Sequence, residues 1–527
     1  MRFRGLLAAL LALAGCGGSN GPPVSAPVVR DTLGRVEGRV RAFRRGPSLS
    51  FDADGRVVAS SVAESSSPVA VDGVVVRVYS PSGTFLGEAV TRSGGQYGVT
   101  VNFGPVPATP VTIQVLAQAN SGLGSKLRVL PSAGAAEPYI FSAPALGDPN
   151  APTLVANVDI PLAGNAGAFN IAQMGRRSRL ATLNDVDVIW SEGNGVVSSV
   201  TVQDDVGVVI VAGGIAGDDA SNTDEFDDPV LARLFGELTF AFVTTDVAPK
   251  GMLNDALMVP SVAYREGLLD FWSCIVRDTP LYWDTEGKRA EARVTRFFNI
   301  GSFFDPALGS LGPDDPNVYQ DPSVIGIGSR FSVAEIMWDI HNSLGIPLFS
   351  TIDALEQLTP GATYPHIVTL FEAYSRLGLL GGTLPILLIS PEDQGIPLPP
   401  TAANGSEWPT RFPNAAAPGT SLQPPYDDTL SDLVDTINPV PLNPDLGLFS
   451  QRYFHLKSGS EAHIRLTLTT SGSLRMELLD LSNEVLASGT GSILLTAAAP
   501  GEYVVRVLGD GVLQVAPFDL RLELLVP

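Results

Sequence analysis

The residues with most chemical content lie in one run, Asp224-Glu225-Phe226-Asp227-Asp228-Pro229-Val230-Leu231-Ala232-Arg233-Leu234-Phe235-Gly236-Glu237. Asp228 suits a helix N-cap, and Pro229 suits the first helical position, where no amide hydrogen is needed. Asp224, Glu225 and Asp227 then sit near the positive end of the helix dipole. The spacing predicts a helix that starts here and runs toward Phe242. Arg233 and Glu237, four residues apart, share one of its faces; on a solvated surface such a pair contributes little. Elsewhere, candidate chemistry is sparse. The four histidines, at 341, 366, 455 and 463, leave no H-E-x-x-H pair anywhere. There is no phosphate-binding loop and no dinucleotide fingerprint. Asp314-Asp315 and Asp321 could bind calcium, but Gly312-Pro313-Asp314-Asp315-Pro316-Asn317 is better explained as turn chemistry. Cys274, within Phe271-Trp272-Ser273-Cys274-Ile275-Val276, reads as buried core rather than nucleophile.

The acidic run resembles a family of exported zinc metallopeptidases, whose version reads D-x-D-E-[FY]-D-D-P-x-[IVL]-x-H-E-F-G-H. The flank and the inner Phe235 and Gly236 match. The zinc-binding histidines fall on Arg233 and Glu237, and the catalytic glutamate on Leu234. The family's S-E-G motif, which supplies the third ligand, resembles Tyr264-Arg265-Glu266-Gly267, so Glu266 is kept. Its A-x-x-x-W-D-[IL] helix resembles Ala334-Glu335-Ile336-Met337-Trp338-Asp339-Ile340. The resemblance covers roughly 165–380 and implies a degenerate site with no metal and no cofactor. In H-E-x-x-H two imidazoles at i and i+4 share the ion, and the glutamate takes a proton from bound water. Arg233 has no lone pair to offer a metal, and Leu234 accepts no proton. The resemblance implies that Arg233, Glu237 and Glu266 converge, with the Arg233 guanidinium in the metal's place. Asp270, one turn after Glu266, stands where related peptidases often carry a supporting acid; by itself it reads as a helix-surface residue.

The elements that would position these residues fall into several units. Residues 34–142 alternate apolar and polar, as in Val74-Val75-Val76-Arg77-Val78-Tyr79, with turn signals at Pro81-Ser82-Gly83 and Ser93-Gly94-Gly95. This predicts an antiparallel β-sandwich, and Asp72 through Tyr97 resembles the carboxypeptidase regulatory-like module. The Ser-rich insert 46–67 reads as a long loop, and the proline-bearing segment 143–154 as a linker. Residues 155–393 switch to helical spacing around 166–180, 229–243, 261–277, 331–344, 351–358 and 366–379, with strands at 186–190 and 206–211: an α+β unit. Residues 394–440 read as a Pro-rich linker. Residues 441–527 alternate again and resemble the pre-peptidase C-terminal β-sandwich. The expected fold class is multidomain, with a helix-rich α+β unit between two β-sandwiches.

The N-terminus shows Arg2 and Arg4, a short apolar run from Gly5 to Ala14, and Leu13-Ala14-Gly15-Cys16. The run is too short to span a bilayer and fits a secretory signal. Its end resembles the bacterial lipobox, which implies a signal peptide at 1–15, lipidation at Cys16 and a tether over 16–33. The chain is expected to be exported and anchored in the cell envelope, with Gly17 favouring the outer membrane or cell surface. The formal charge of -22 disfavours nucleic acid. Three functions are open. The first is a pseudo-peptidase that binds or scaffolds extracellular protein or peptide. The second is a hydrolase with a carboxylate metal site from Glu237, Glu266 and Asp270, against which Arg233 argues. The third is a purely structural envelope protein.

Overall fold

The computed structural model describes residues 33–51, 57–102, 110–120, 125–145, 153–178, 184–243, 258–288, 291–301, 329–345, 421–422, 427–430, 451–458, 461–470, 474–509 and 516–525, with isolated positions between 350 and 377. The expected signal peptide and Cys16 lie outside the described residues, as do Asp314, Asp315, Asp321 and His366. The described chain is mostly β-sheet, arranged in several sheets, with helices α1 (Ala166–Ser178), α2 (Asp228–Val243), α3 (Pro260–Ile275) and α4 (Arg330–Leu344). None of these helices is long and apolar enough to cross a membrane.

The first strand, Leu33–Ala42, buries Val36, Val40 and Ala42 and turns Arg35, Glu37, Arg39 and Arg41 outward. It pairs antiparallel with Gln96–Asn102 and parallel with Thr153–Val155 and Val158–Ile160. A second sheet carries Val74–Tyr79, Phe85–Val90, Val111–Asn120, Lys126–Leu130 and Ile140–Ala145. One apolar core joins both sheets.

This first unit does not close at residue 142. Val186–Ile189 adds parallel to Lys126–Leu130, and Val206–Ile210 adds parallel to Val186–Ile189. Helix α1 enters the same core through Phe169, Ile171 and Met174, and α2 through Leu231, Leu234 and Phe235. The segment expected as the linker 143–154 has both ends in strands, Ile140–Ala145 and Thr153–Val155. Pro144 misleads because an edge strand tolerates proline: it stands opposite Thr112 in a strand whose described pairing is to a single neighbour.

The insert 46–67 is also not a loop. Arg45–Phe51 and Val57–Glu64 form a hairpin. Ser48, Ser50 and Ser61 are exposed, and Leu49 and Val62 pack against Val294, as do Leu281 and Trp283. The hairpin thus fastens the N-terminal sheets to a four-stranded sheet of Gly213–Ile215, Asp218–Thr223, Leu281–Glu286 and Arg293–Asn299. A second core holds α3, α4 and that sheet together through Phe271, Trp272, Phe298, Phe331 and Met337. Ser329 caps α4 by accepting the Ser332 amide at 3.3 Å, and Gly345 ends it at φ +63°. Of the helices expected at 351–358 and 366–379, only isolated positions are described.

The C-terminal unit is two antiparallel sheets around Ile464, Leu466, Met476, Leu478, Val505 and Leu520. Part of the segment expected as a linker, 394–440, belongs to it: Ser421–Leu422 and Asp427–Leu430 pair with Ala516–Leu525. The sandwich leans on the start of α3, where Met258, Val259 and Val262 meet Leu479 and Val504. There the Asn483 side chain accepts the Val259 amide at 2.9 Å.

Candidate functional site

Helix α2 starts one residue earlier than Pro229 suggests. The Asp227 carbonyl accepts the Leu231 amide at 2.9 Å, so Asp227 is the flanking residue and Asp228 already lies in the helix. The acids of the flank are each held differently. Asp228 accepts from Asn170 at 2.9 Å and pairs with Arg44 at 3.5 Å. Glu225 pairs with Arg45 at 2.6 Å. Asp227 accepts the Thr285 amide at 2.9 Å and its hydroxyl at 2.7 Å. Asp224 accepts from Ser198, and its other oxygen is buried with no hydrogen-bond partner among the described residues.

Asp224, Asp227 and Asp284 bring their carboxylates together, within 4.8 Å of one another. Burial, followed by the Asp284 charge beyond the opposing Ser198 bond, pushes Asp224 up to about 6. Burial, then the charges of Asp284 and Asp224, holds Asp227 well above the ordinary carboxylate range.

The positions singled out in the peptidase-like run lie on the facing sides of α2 and α3. Residues 233 and 237 share one face of α2, and 266 and 270 one face of α3, because four residues make about one turn. Arg233 forms ion pairs with Glu266 and Asp270, and its Nη1 also donates to the Glu266 carbonyl at 3.1 Å. Glu237 is not held by Arg233. It is held by Arg265, at 3.0 Å, which also donates to Glu266 at 3.0 Å. Burial lowers the Arg265 pKa, with Glu237 raising it and Arg233 lowering it further. Arg330, at the start of α4, lies 3.7 Å from Asp270 and stacks against Phe331 at 4.8 Å. Leu234 faces the apolar core instead of the cluster. Asp270 is 0% exposed, which corrects its reading as a surface residue: α4 covers the turn of α3 that carries it.

Two glycines allow this approach. A Cβ on Gly236 would lie 2.7 Å from the Trp272 ring, and one on Gly267 would lie 2.4 Å from the Arg330 carbonyl. So Gly236 lets α2 meet α3, and Gly267 lets α3 meet α4. Arg265 stands beside Glu266 in the sequence, yet nothing there distinguishes it from a surface arginine. Arg330 carries no sequence signal at all, since only the packing of α4 brings it in.

No known family matches the chain, and no curated protein does. Among solved structures, the periplasmic g-type lysozyme inhibitor PliG of Aeromonas hydrophila is 12% identical over 22% of this chain and 93% of its own, with a TM-score of 0.16. A 9R-lipoxygenase from Cyanothece PCC8801 is 14% identical over 27% of this chain and 18% of its own, with a TM-score of 0.13. Neither likeness is close enough to bear on fold or function.

The residues of the cluster do not fit zinc. Its ligands must offer lone pairs, and the centre is occupied by a permanently charged guanidinium. Glu237, Glu266 and Asp270 each already face an arginine. Of the histidines whose side chains are described, the His341 ring packs 6.3 Å from Phe271, and His463 Nδ1 accepts the Ala497 amide at 2.8 Å. Chemically, the cluster is a set of mutually neutralising charges.

Proposed function

We propose that this chain is an exported lipoprotein, anchored through Cys16 in the cell envelope, whose central unit is a degenerate relative of the zinc metallopeptidases it resembles. In this reading the unit binds or scaffolds extracellular protein or peptide and catalyses no hydrolysis. The flanking units, like the carboxypeptidase regulatory-like and pre-peptidase C-terminal modules they resemble, serve as spacers or adhesive surfaces. The observation that carries the reading is the Arg233 guanidinium between Glu266 and Asp270, on the helix turn where the resemblance places a metal ligand. A cation on the side chain takes over the charge balance of a bound ion, and the carboxylates keep their partner.

The experiment uses the full chain expressed in a bacterium, and its Cys16→Ser variant. The wild type is expected to fractionate with membranes and to carry acyl mass on residue 16; the variant is expected to be soluble. Purified variant is expected to hold no stoichiometric zinc by elemental analysis and to leave unstructured protein substrates intact. A wild type found wholly soluble would end the lipoprotein reading. Zinc at one per chain with chelator-sensitive proteolysis would end the pseudo-peptidase reading.

A further inference from the structure

The first strand carries a row of arginines remote in sequence from the cluster on α2 and α3. Arg35, Arg39 and Arg41 line an open groove of about 1050 Å³, joined by Arg92 from the turn before Gln96–Asn102 and by Arg176 from α1. Arg35 pairs with Glu37 at 2.9 Å, and Arg41 forks onto Asp159 at 2.7 and 2.8 Å. Arg39, Arg92 and Arg176 are exposed and make no ion pair among the described residues.

Two glycines shape this groove. A Cβ on Gly98, which stands opposite Glu37 in the register, would lie 2.6 Å from the Arg35 guanidinium. A Cβ on Gly73 would meet the Arg176 stem at 2.0 Å. Gly98 leaves room for the Arg35 guanidinium, and Gly73 for the Arg176 side chain.

The whole chain carries a charge of -22. Against that background, three guanidinium groups without an ion pair among the described residues concentrate positive potential in one recess, where a bound anion is favoured. A guanidinium fork matches a carboxylate with two parallel hydrogen bonds. Arg39 on the first strand, Arg92 on the turn and Arg176 on α1 enter the groove from three elements, so it suits a ligand that carries several carboxylates. A peptide cannot add here as a strand, because the first strand is paired on both sides. Tyr97 is 5% exposed, with its hydroxyl donating to the Ala156 carbonyl at 2.6 Å, so it offers no face for stacking a base. A recess grips a strand along its length and does not match a flat plane of headgroups. Exposed Ser93 and Gln96 add a hydroxyl and an amide to the same groove, partners for sugar hydroxyls.

We infer that this groove binds a linear acidic polysaccharide through carboxylates engaged by Arg39, Arg92 and Arg176. The inference stands independently of the peptidase resemblance and of the lipid anchor. It is tested on the Cys16→Ser chain by calorimetric titration with an oligogalacturonate, in low and high salt. Binding is expected, weakening as salt rises, with no binding of a neutral maltooligosaccharide of the same length. Arg39→Ala and Arg92→Ala are each expected to weaken binding about tenfold, the scale of one charge-assisted hydrogen bond. Both should leave the melting temperature unchanged, because their heads are exposed. Arg465→Ala, on the C-terminal sandwich, is expected to leave binding intact. Absence of binding overturns the inference. So does binding that ignores Arg39 and Arg92, or that falls equally with Arg465→Ala. Equal or tighter binding of single-stranded DNA or of phosphatidylglycerol vesicles through the same arginines would name a different occupant and overturn it too.

Discussion

The Glu237 carboxylate of α2 is held by Arg265 of α3 at 3.0 Å, and not by Arg233, which lies one turn away on its own helix. Arg233 reaches across to Glu266 and Asp270 instead. Each helix therefore gives its cation to the other helix's acid. This interlock ties α2 to α3, and Arg330 extends it to α4.

Removing Arg233 leaves two nearly buried carboxylates facing each other. Arg233→Ala is expected to lower stability by about 3–5 kcal/mol, the usual cost of breaking a buried set of charges. Arg265→Ala is expected to cost less, about 1–3 kcal/mol, because Glu237 keeps some access to water. Urea denaturation of the three proteins checks the order. Losses of about 1 kcal/mol or less for both variants would mean that the cluster is solvated.

Gly267→Ala separates packing from helix propensity. On propensity alone, alanine inside a helix is favoured over glycine by about 0.5–1 kcal/mol. Here the added carbon would meet the Arg330 carbonyl at 2.4 Å and Val333 at 2.6 Å. A net loss of about 1–3 kcal/mol is expected, the cost of overpacking. A stabilised variant would show that α4 can move off α3 without penalty.

The acids around Asp227 make stability depend on pH in an unusual direction. Asp224 rises from its ordinary 3.8 to about 6 in the folded chain, and Asp227 also rises. An acid raised on folding contributes stability that is fully present below its unfolded value and lost as pH climbs through the folded one. The contribution of Asp224 is therefore gained on acidification from pH 7 toward 4. The difference between 3.8 and about 6 corresponds to about 3 kcal/mol. Other groups titrate over the same range, so the readout is the comparison with Asp224→Asn. The wild type is expected to gain on that variant between pH 7 and 5 in denaturation curves. A difference that stays flat with pH would remove the assignment.

Cys274 is 0% exposed, and burial pushes its thiol up to about 12, against the opposing effect of Arg277. With Cys16 replaced by Ser it is the sole thiol of the chain. It is expected to ignore a thiol-specific disulfide reagent at pH 8 in the native state and to react only as the protein unfolds. Reaction at the rate of a free cysteine would place it at the surface.

Part of the architecture is legible from residue patterns alone. Period-two alternation marks Val74–Tyr79 and Val186–Ile189 as strands, and apolar spacing with Asp228 and Pro229 marks α2. These signals are local: one buried face imposes its period on the residues that line it. The i, i+4 spacing also puts Arg233 and Glu237 on one face of a helix before any tertiary contact is known.

The tertiary structure decided what composition hides. Pro144 and the Ser-rich hairpin read as breaks because turn residues and solvent-facing residues are the same types, and only the neighbouring strands tell them apart. The same holds for charge. Asp270 and Arg330 are ordinary surface residue types, and their burial follows from α4 closing over α3 at Gly267. The exchange of partners that gives Glu237 to Arg265 and Asp270 to Arg233 depends on how two helices meet, a long-range relation that no spacing within either helix encodes.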